Sequence, residues 1–131
     1  MPVLYIALGG ALGSLARYYV AEALALVFGA AFPWGTLLVN VSGSFLIGCI
    51  AGGSGAAGRW VDSPAVRQFF MIGICGGYTT FSAFSLHTFG MLEAGEIGRA
   101  GSYVVGSVVL CVLATWAGFA AALAVTGTAA S

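Results

Sequence analysis

The residues of this chain with chemistry to offer are amides, hydroxyls and aromatic rings set inside apolar segments. Phe81 and Phe84 stand three apart, so a helix carries both rings on one face. Asn40 lies in the middle of another apolar run, with Ser44 one turn later. Tyr103, Ser107, Cys111 and Thr115 recur at a strict spacing of four. Each such step advances about 40° around an α-helix, so they form a slanted row of hydroxyls and a thiol. An aromatic ring has a positive edge. Ring edges, an amide and hydroxyls together offer partial positive charge and hydrogen-bond donors without a full cation. That set suits a small, strongly hydrated anion that must shed water yet leave quickly, where a full positive charge would hold it too long. Each member also has a packing role open to it. Asn40 can tie helices together through a hydrogen bond worth about 0.6–2 kcal/mol. Ser and Thr can satisfy carbonyls four residues back, and paired phenylalanines fill cores.

The remaining functional groups exclude more than they suggest. There is no paired-carboxylate site, phosphate loop or nucleophile–base arrangement, which argues against an enzyme. Cys49, Cys75 and Cys111 are odd in number and lie in apolar segments, so they read as small buried hydrophobes, not a disulfide framework. There is no lysine and no basic patch, which argues against a nucleic-acid partner. Arg17 sits in or near a span, placed either to snorkel to the interface or to draw an anion into a vestibule. Glu22 follows at five residues, off the i+4 spacing of a helix ion pair. His87, the one histidine, stands near the end of a span, where hydrogen bonding at the interface is the commoner role than proton relay.

These groups require a membrane frame. The chain has 131 residues, 60% hydrophobic and 6% charged, with a mean hydropathy of +1.05. A soluble domain carries about 25% charged residues. Apolar runs at about Val3–Phe28, Trp34–Gly52, Val66–Phe89 and Ser102–Val125 predict an all-α membrane protein, a single domain over 1–131 with four transmembrane helices in the lipid bilayer. Pro33, the stretch Ser54-Gly55-Ala56-Ala57-Gly58 with Ser63-Pro64, and Glu93 to Arg99 mark the connections. Ala21-Glu22-Ala23 resembles a signal-peptide cleavage site, but no Lys or Arg precedes it and Arg17 interrupts the apolar stretch. The third span is the unusual one. No charge interrupts the chain from Gln68 to Leu92, yet Gly76-Gly77-Tyr78-Thr79-Thr80 weakens the helix mid-span. Irregular backbone at membrane depth must be buried in protein or line a cavity, so this segment is expected to be the working part. Gly9 and Gly13, Gly10 and Ser14, and Ser44, Gly48 and Gly52 form small-residue rows for close helix packing. So small a bundle has little room for an aqueous path in one copy, which favours an oligomer. Arginine hardly distinguishes the two sides: with the N-terminus inside, inner loops carry Arg59 and Arg67 and outer loops Arg99. Either short loops carry few charges by chance, or the chain inserts both ways.

The chain resembles the Fluc (CrcB) fluoride channels of bacteria. The resemblance covers all four spans. It rests on Gly9-Gly10 through Gly13 to Arg17-Tyr18, on Gly35-Thr36-Leu37 with Asn40 and Gly43, and above all on Gly73 through Gly76-Gly77-Tyr78-Thr79-Thr80-Phe81-Ser82-Ala83-Phe84-Ser85. It implies an antiparallel, dual-topology homodimer with two pores in the bacterial plasma (inner) membrane, passively exporting fluoride to relieve its toxicity. It further implies that Asn40, Phe81, Phe84, Tyr103 and Ser107 line the ion path. A structural, untransported sodium would be held by the main-chain carbonyls of Gly76 and Thr79. Three positions depart from the family pattern. Ala83 stands where Thr is usual, His87 where Glu is common, and Cys111 where a hydroxyl is expected. The competing reading is a small dual-topology proton-coupled exporter. That needs a membrane-embedded carboxylate, for which the sequence offers only Glu22.

Overall fold

The computed structural model describes residues 1–53 and 63–130, with side chains described as far as residue 125. The second connection, from Ser54 to Gly58 with Arg59 and Trp60, lies outside the described residues. Helix α1 runs Pro2–Phe28 and α2 Trp34–Gly52. The third span divides. Its first half, α3, comprises Pro64–Arg67, a wider π-wound stretch Gln68–Cys75, and a last turn Gly76–Tyr78. Its second half, α4, is Phe81–Glu93, and α5 is Ile97–Ala130. Among the described residues, four stretches are long and apolar enough to cross a membrane: Pro2–Phe28, Trp34–Gly52, Pro64–Glu93 and Ile97–Val125. The third and fourth begin earlier than hydropathy predicts, and the third also ends later. Pro64 supplies a helix-compatible first turn. At the other end the Glu96 N–H bonds to the Met91 carbonyl at 2.8 Å and the Gly95 N–H to the Leu92 carbonyl at 3.0 Å, with Gly95 at φ 78°. This six-to-one, five-to-two pattern closes α4 and turns the chain directly into α5.

Packing is backbone on backbone. Lipid tails are as apolar as leucine, so helices associate through close van der Waals contact rather than through burial of large side chains. Many leucines, valines and aromatics accordingly point outward, while Val39, Cys75 and Tyr103 are the largest side chains fully enclosed among the described residues. Helix α2 lies along α5, and α1 along α3. A Cβ at Gly118 would strike the Phe45 carbonyl oxygen, and one at Gly48 the Thr115 carbonyl oxygen. On the other side Gly13 lies against the Ile74 carbonyl.

The break in the third span is present, but the paired glycines do not make it. Gly76 and Gly77 remain helical. Thr79 (φ −81°, ψ 156°) and Thr80 (φ −149°, ψ 115°) carry the extended backbone, a conformation that β-branched residues favour. Gly77 serves a different purpose: it lets α3 rest on α1, where a Cβ would come within 2.5 Å of the Gly10 carbonyl oxygen.

Candidate functional site

The interruption leaves main-chain groups without helical partners, and three side chains meet them, Asn40 and Arg17 from elsewhere in the sequence and Thr80 from the break itself. Asn40 of α2 grips Thr80 from both sides. Its Oδ1 accepts the Thr80 N–H at 2.7 Å and its Nδ2 donates to the Thr80 carbonyl at 3.0 Å. Because a backbone N–H can only donate, this pair orients the amide. The Thr80 hydroxyl accepts the Ala83 N–H at 3.1 Å and so caps the start of α4. Arg17 of α1 donates through Nε to the Gly77 carbonyl at 3.1 Å, a cation at the carbonyl end of α3. Arg17 is thus placed at the break and is not among the residues lining either cavity described below.

Two carbonyls thereby lose their regular helical donors. The N–H that a continuous helix would send to Gly76 belongs to Thr80 and is taken by Asn40; the one for Thr79 belongs to Ala83 and is taken by the Thr80 hydroxyl. Gly76 and Thr79 both line a cavity of about 330 Å³ at the break. Oxygen donors with no carboxylate beside them suit a hard monovalent cation in type, though one chain supplies two of the several oxygens such an ion takes.

The same cavity gathers Asn40, Phe81, Phe84 and Ser107 from α2, α4 and α5, with no charged side chain in its wall. The Phe81 and Phe84 rings lie 5.4 Å apart, one face as their spacing predicts. They differ in setting: Phe84 is 9% exposed and packs on Tyr103 at 5.1 Å, whereas Phe81 is 78% exposed. The first N–H groups of α4 point toward this end, adding partial positive charge. Asn40 retains one amide N–H beyond its bonds to Thr80.

The row on α5 divides into two kinds. Thr115 bonds its own Cys111 carbonyl at 3.0 Å, the backbone-satisfying role. Tyr103 and Ser107 do not: both hydroxyls are buried without a hydrogen-bond partner among the described residues. The Thr36 side chain neighbours the Tyr103 hydroxyl but does not meet it in hydrogen-bonding geometry. Cys111 lines the cavity at the break. Of the three departures from the family pattern, Ala83 contributes its N–H to the cap, and His87 lines a separate cavity of about 450 Å³ with Thr36 and Glu96. Sequence reasoning offers Asn40 as a tie between helices but not its partner, the Thr80 backbone, which only the structure identifies.

The sequence model of the family described as CrcB-like protein, Camphor Resistance (CrcB) matches residues 4–119. The chain is 50% identical over 125 residues to the fluoride-specific ion channel FluC of Methylocella silvestris, covering 95% of each. It is 52% identical over 120 residues to that of Opitutus terrae, covering 92% of this chain and 91% of the relative. With that of Nitrobacter winogradskyi it shares 54% over 116 residues, 88% and 90% of the two chains. The family is one of ion channels, not enzymes, and its four apolar spans make this a multi-pass protein of the bacterial inner membrane. A match that runs through all four spans, with about half of all residues shared across nine-tenths of the length, means that the chain belongs to the CrcB-like protein family.

Proposed function

We propose that this chain forms a passive, fluoride-selective channel that exports fluoride from the cytoplasm. The observation that carries the reading is the cavity at the break. Its lining includes the Asn40 amide with a spare N–H, Ser44, Ser107 and the Phe81 and Phe84 rings, and no charged side chain. A small anion entering it exchanges water for these donors and is not trapped by a cation. Asn40, Phe81, Phe84, Tyr103 and Ser107 then line the ion path. Phe81 at 78% exposure walls a cavity while standing open on its outer side, which supports a second copy closing the path. The working unit is an antiparallel homodimer with two pores, assembled from copies inserted in opposite senses. Sodium at the dimer centre would be held by the carbonyls of Gly76 and Thr79 from each copy. When bound it supplies fixed positive charge for these carbonyl ends and a tie between protomers.

The proton-coupled exporter finds less support. Glu22 is exposed on α1 and is not among the residues lining the cavity at the break. Fluoride-loaded vesicles containing purified protein decide between the two. A channel releases fluoride quickly and passively to a selective electrode without a proton gradient; dependence on the gradient overturns the proposal.

A further inference from the structure

Helices α2 and α5 run side by side in a fixed register. A Cβ at Gly48 would strike the Thr115 carbonyl oxygen, and one at Gly52 would come within 2.5 Å of the Phe119 carbonyl oxygen. The Thr36 side chain neighbours the Tyr103 hydroxyl. Each of these three pairs is separated by the same sixty-seven positions, so a step of four on one helix matches a step of four on the other. The register therefore sets Asn40 level with Ser107 and Ser44 level with Cys111, and all four line the cavity at the break. Two facing rows result: Thr36, Asn40 and Ser44 on α2, and Tyr103, Ser107 and Cys111 on α5. At the third level the α5 row has no hydroxyl. A thiol is a weak donor, and the Cys111 carbonyl is taken by the Thr115 hydroxyl at 3.0 Å. The strong donor at that level stands on α2, at Ser44.

Ser44 continues the small-residue row of Gly48 and Gly52, and close packing alone would account for a small side chain there. Its hydroxyl, however, does not take the role usual inside a helix. Thr79, Thr88, Ser102 and Thr115 each bond the carbonyl four residues back, at 2.8–3.0 Å. Ser44 is half-buried in the middle of α2 and makes no hydrogen bond among the described residues. A hydroxyl on a cavity wall with no partner of its own is free to meet what passes through the cavity. We propose that Ser44 belongs to the ion path: its hydroxyl donates to the anion at the level where α5 carries the Cys111 thiol. The inference rests on the fluoride reading for the identity of the anion. It extends the path beyond Asn40 and Ser107 by one helical turn, about 6 Å along α2. It also gives Cys111 a setting in which its missing hydroxyl is supplied from the opposite wall.

Ser44→Ala tests the assignment. Alanine keeps the Cβ that packs between the helices and is the better helix former, so a packing role predicts no loss. Fluoride efflux from vesicles, normalised to folded protein and corrected for protein-free leak, is expected to fall at least about tenfold, the effect of one hydrogen bond to a charged group. A hydroxyl on the opposite wall should repair the loss: Ser44→Ala combined with Cys111→Ser is expected to return to within about threefold of the parent. Normal efflux from Ser44→Ala, or a loss that the second substitution leaves unrepaired, overturns the proposal. A parent protein without passive efflux would refute the channel reading instead. Fluoride binding to purified protein in micelles, followed calorimetrically at constant sodium, then decides for Ser44. Binding weakened about tenfold by Ser44→Ala supports the donor; unaltered or absent binding overturns it.

Discussion

Asn40→Asp separates the clamp at the break from the ion path in one substitution. The exchange replaces Nδ2 by oxygen. The retained Oδ1 still accepts the Thr80 N–H, which lies at 2.7 Å in the native protein. The new oxygen faces the Thr80 carbonyl, to which Nδ2 donates at 3.0 Å, so two acceptors now meet. The lost hydrogen bond is worth about 0.6–1.7 kcal/mol in a membrane protein. Repulsion of similar size brings the penalty for the ionised form to about 2 kcal/mol. A protonated carboxyl restores the donor and removes the penalty. Protonation in acid therefore recovers the lost stability. The sign follows directly: stability is full below the unfolded pKa and is lost as pH rises through the folded one. The variant should therefore be about 2 kcal/mol less stable than the parent at pH 7.5 and approach it only below the ordinary Asp pKa of about 3.9. Flux should fall at least about tenfold at neutral pH, since an anion sits on an anion path. Stability is read by reversible unfolding in mixed micelles across pH, and flux by electrode in vesicles corrected for protein-free leak. Normal stability at pH 7.5 would refute the clamp energetics. A destabilised variant that still conducts normally would confine Asn40 to holding the break.

Phe84→Ile should lower stability by no more than about 1.5 kcal/mol and Phe81→Ile should lower it less, because Phe84 is enclosed and Phe81 exposed within the protomer. Both should cut efflux about tenfold by removing a positive ring edge; normal rates for both would return the rings to packing. Gly118→Ala forces a Cβ against the Phe45 carbonyl and should destabilise by about 1–3 kcal/mol, while Gly106→Ala, with open space around it, should be neutral or better in the same unfolding assay. Exchanging sodium for a large organic cation should dissociate the dimer on size-exclusion chromatography and stop efflux; unchanged behaviour after thorough removal would exclude a structural sodium. Adding two or three lysines to one loop should force a single orientation and abolish efflux, with two oppositely biased copies restoring it; full activity from one orientation would sink the antiparallel dimer.

Length and apolarity alone determined the frame. A bilayer is a uniform solvent of fixed thickness, so runs of adjacent residues report their own spans, and Trp34–Gly52 is found as read. The interruption after Tyr78 was also legible, because glycines and threonines in an uncharged run contradict a lipid-facing helix. Which residues make the interruption was not. Thr79 and Thr80 turn extended because Asn40, forty positions away, accepts and donates to Thr80, while Gly77 stays helical and rests on Gly10. The row from Tyr103 to Thr115 shows the same limit. Its spacing places the residues on one slanted face, yet Thr115 bonds its own backbone while Tyr103 and Ser107 are buried unpartnered. Arg17 likewise has two fates by sequence and one partner in space, the Gly77 carbonyl. Periodicity fixes the direction in which a side chain leaves its helix. What it meets there depends on the helices packed opposite, and only the tertiary structure decides that.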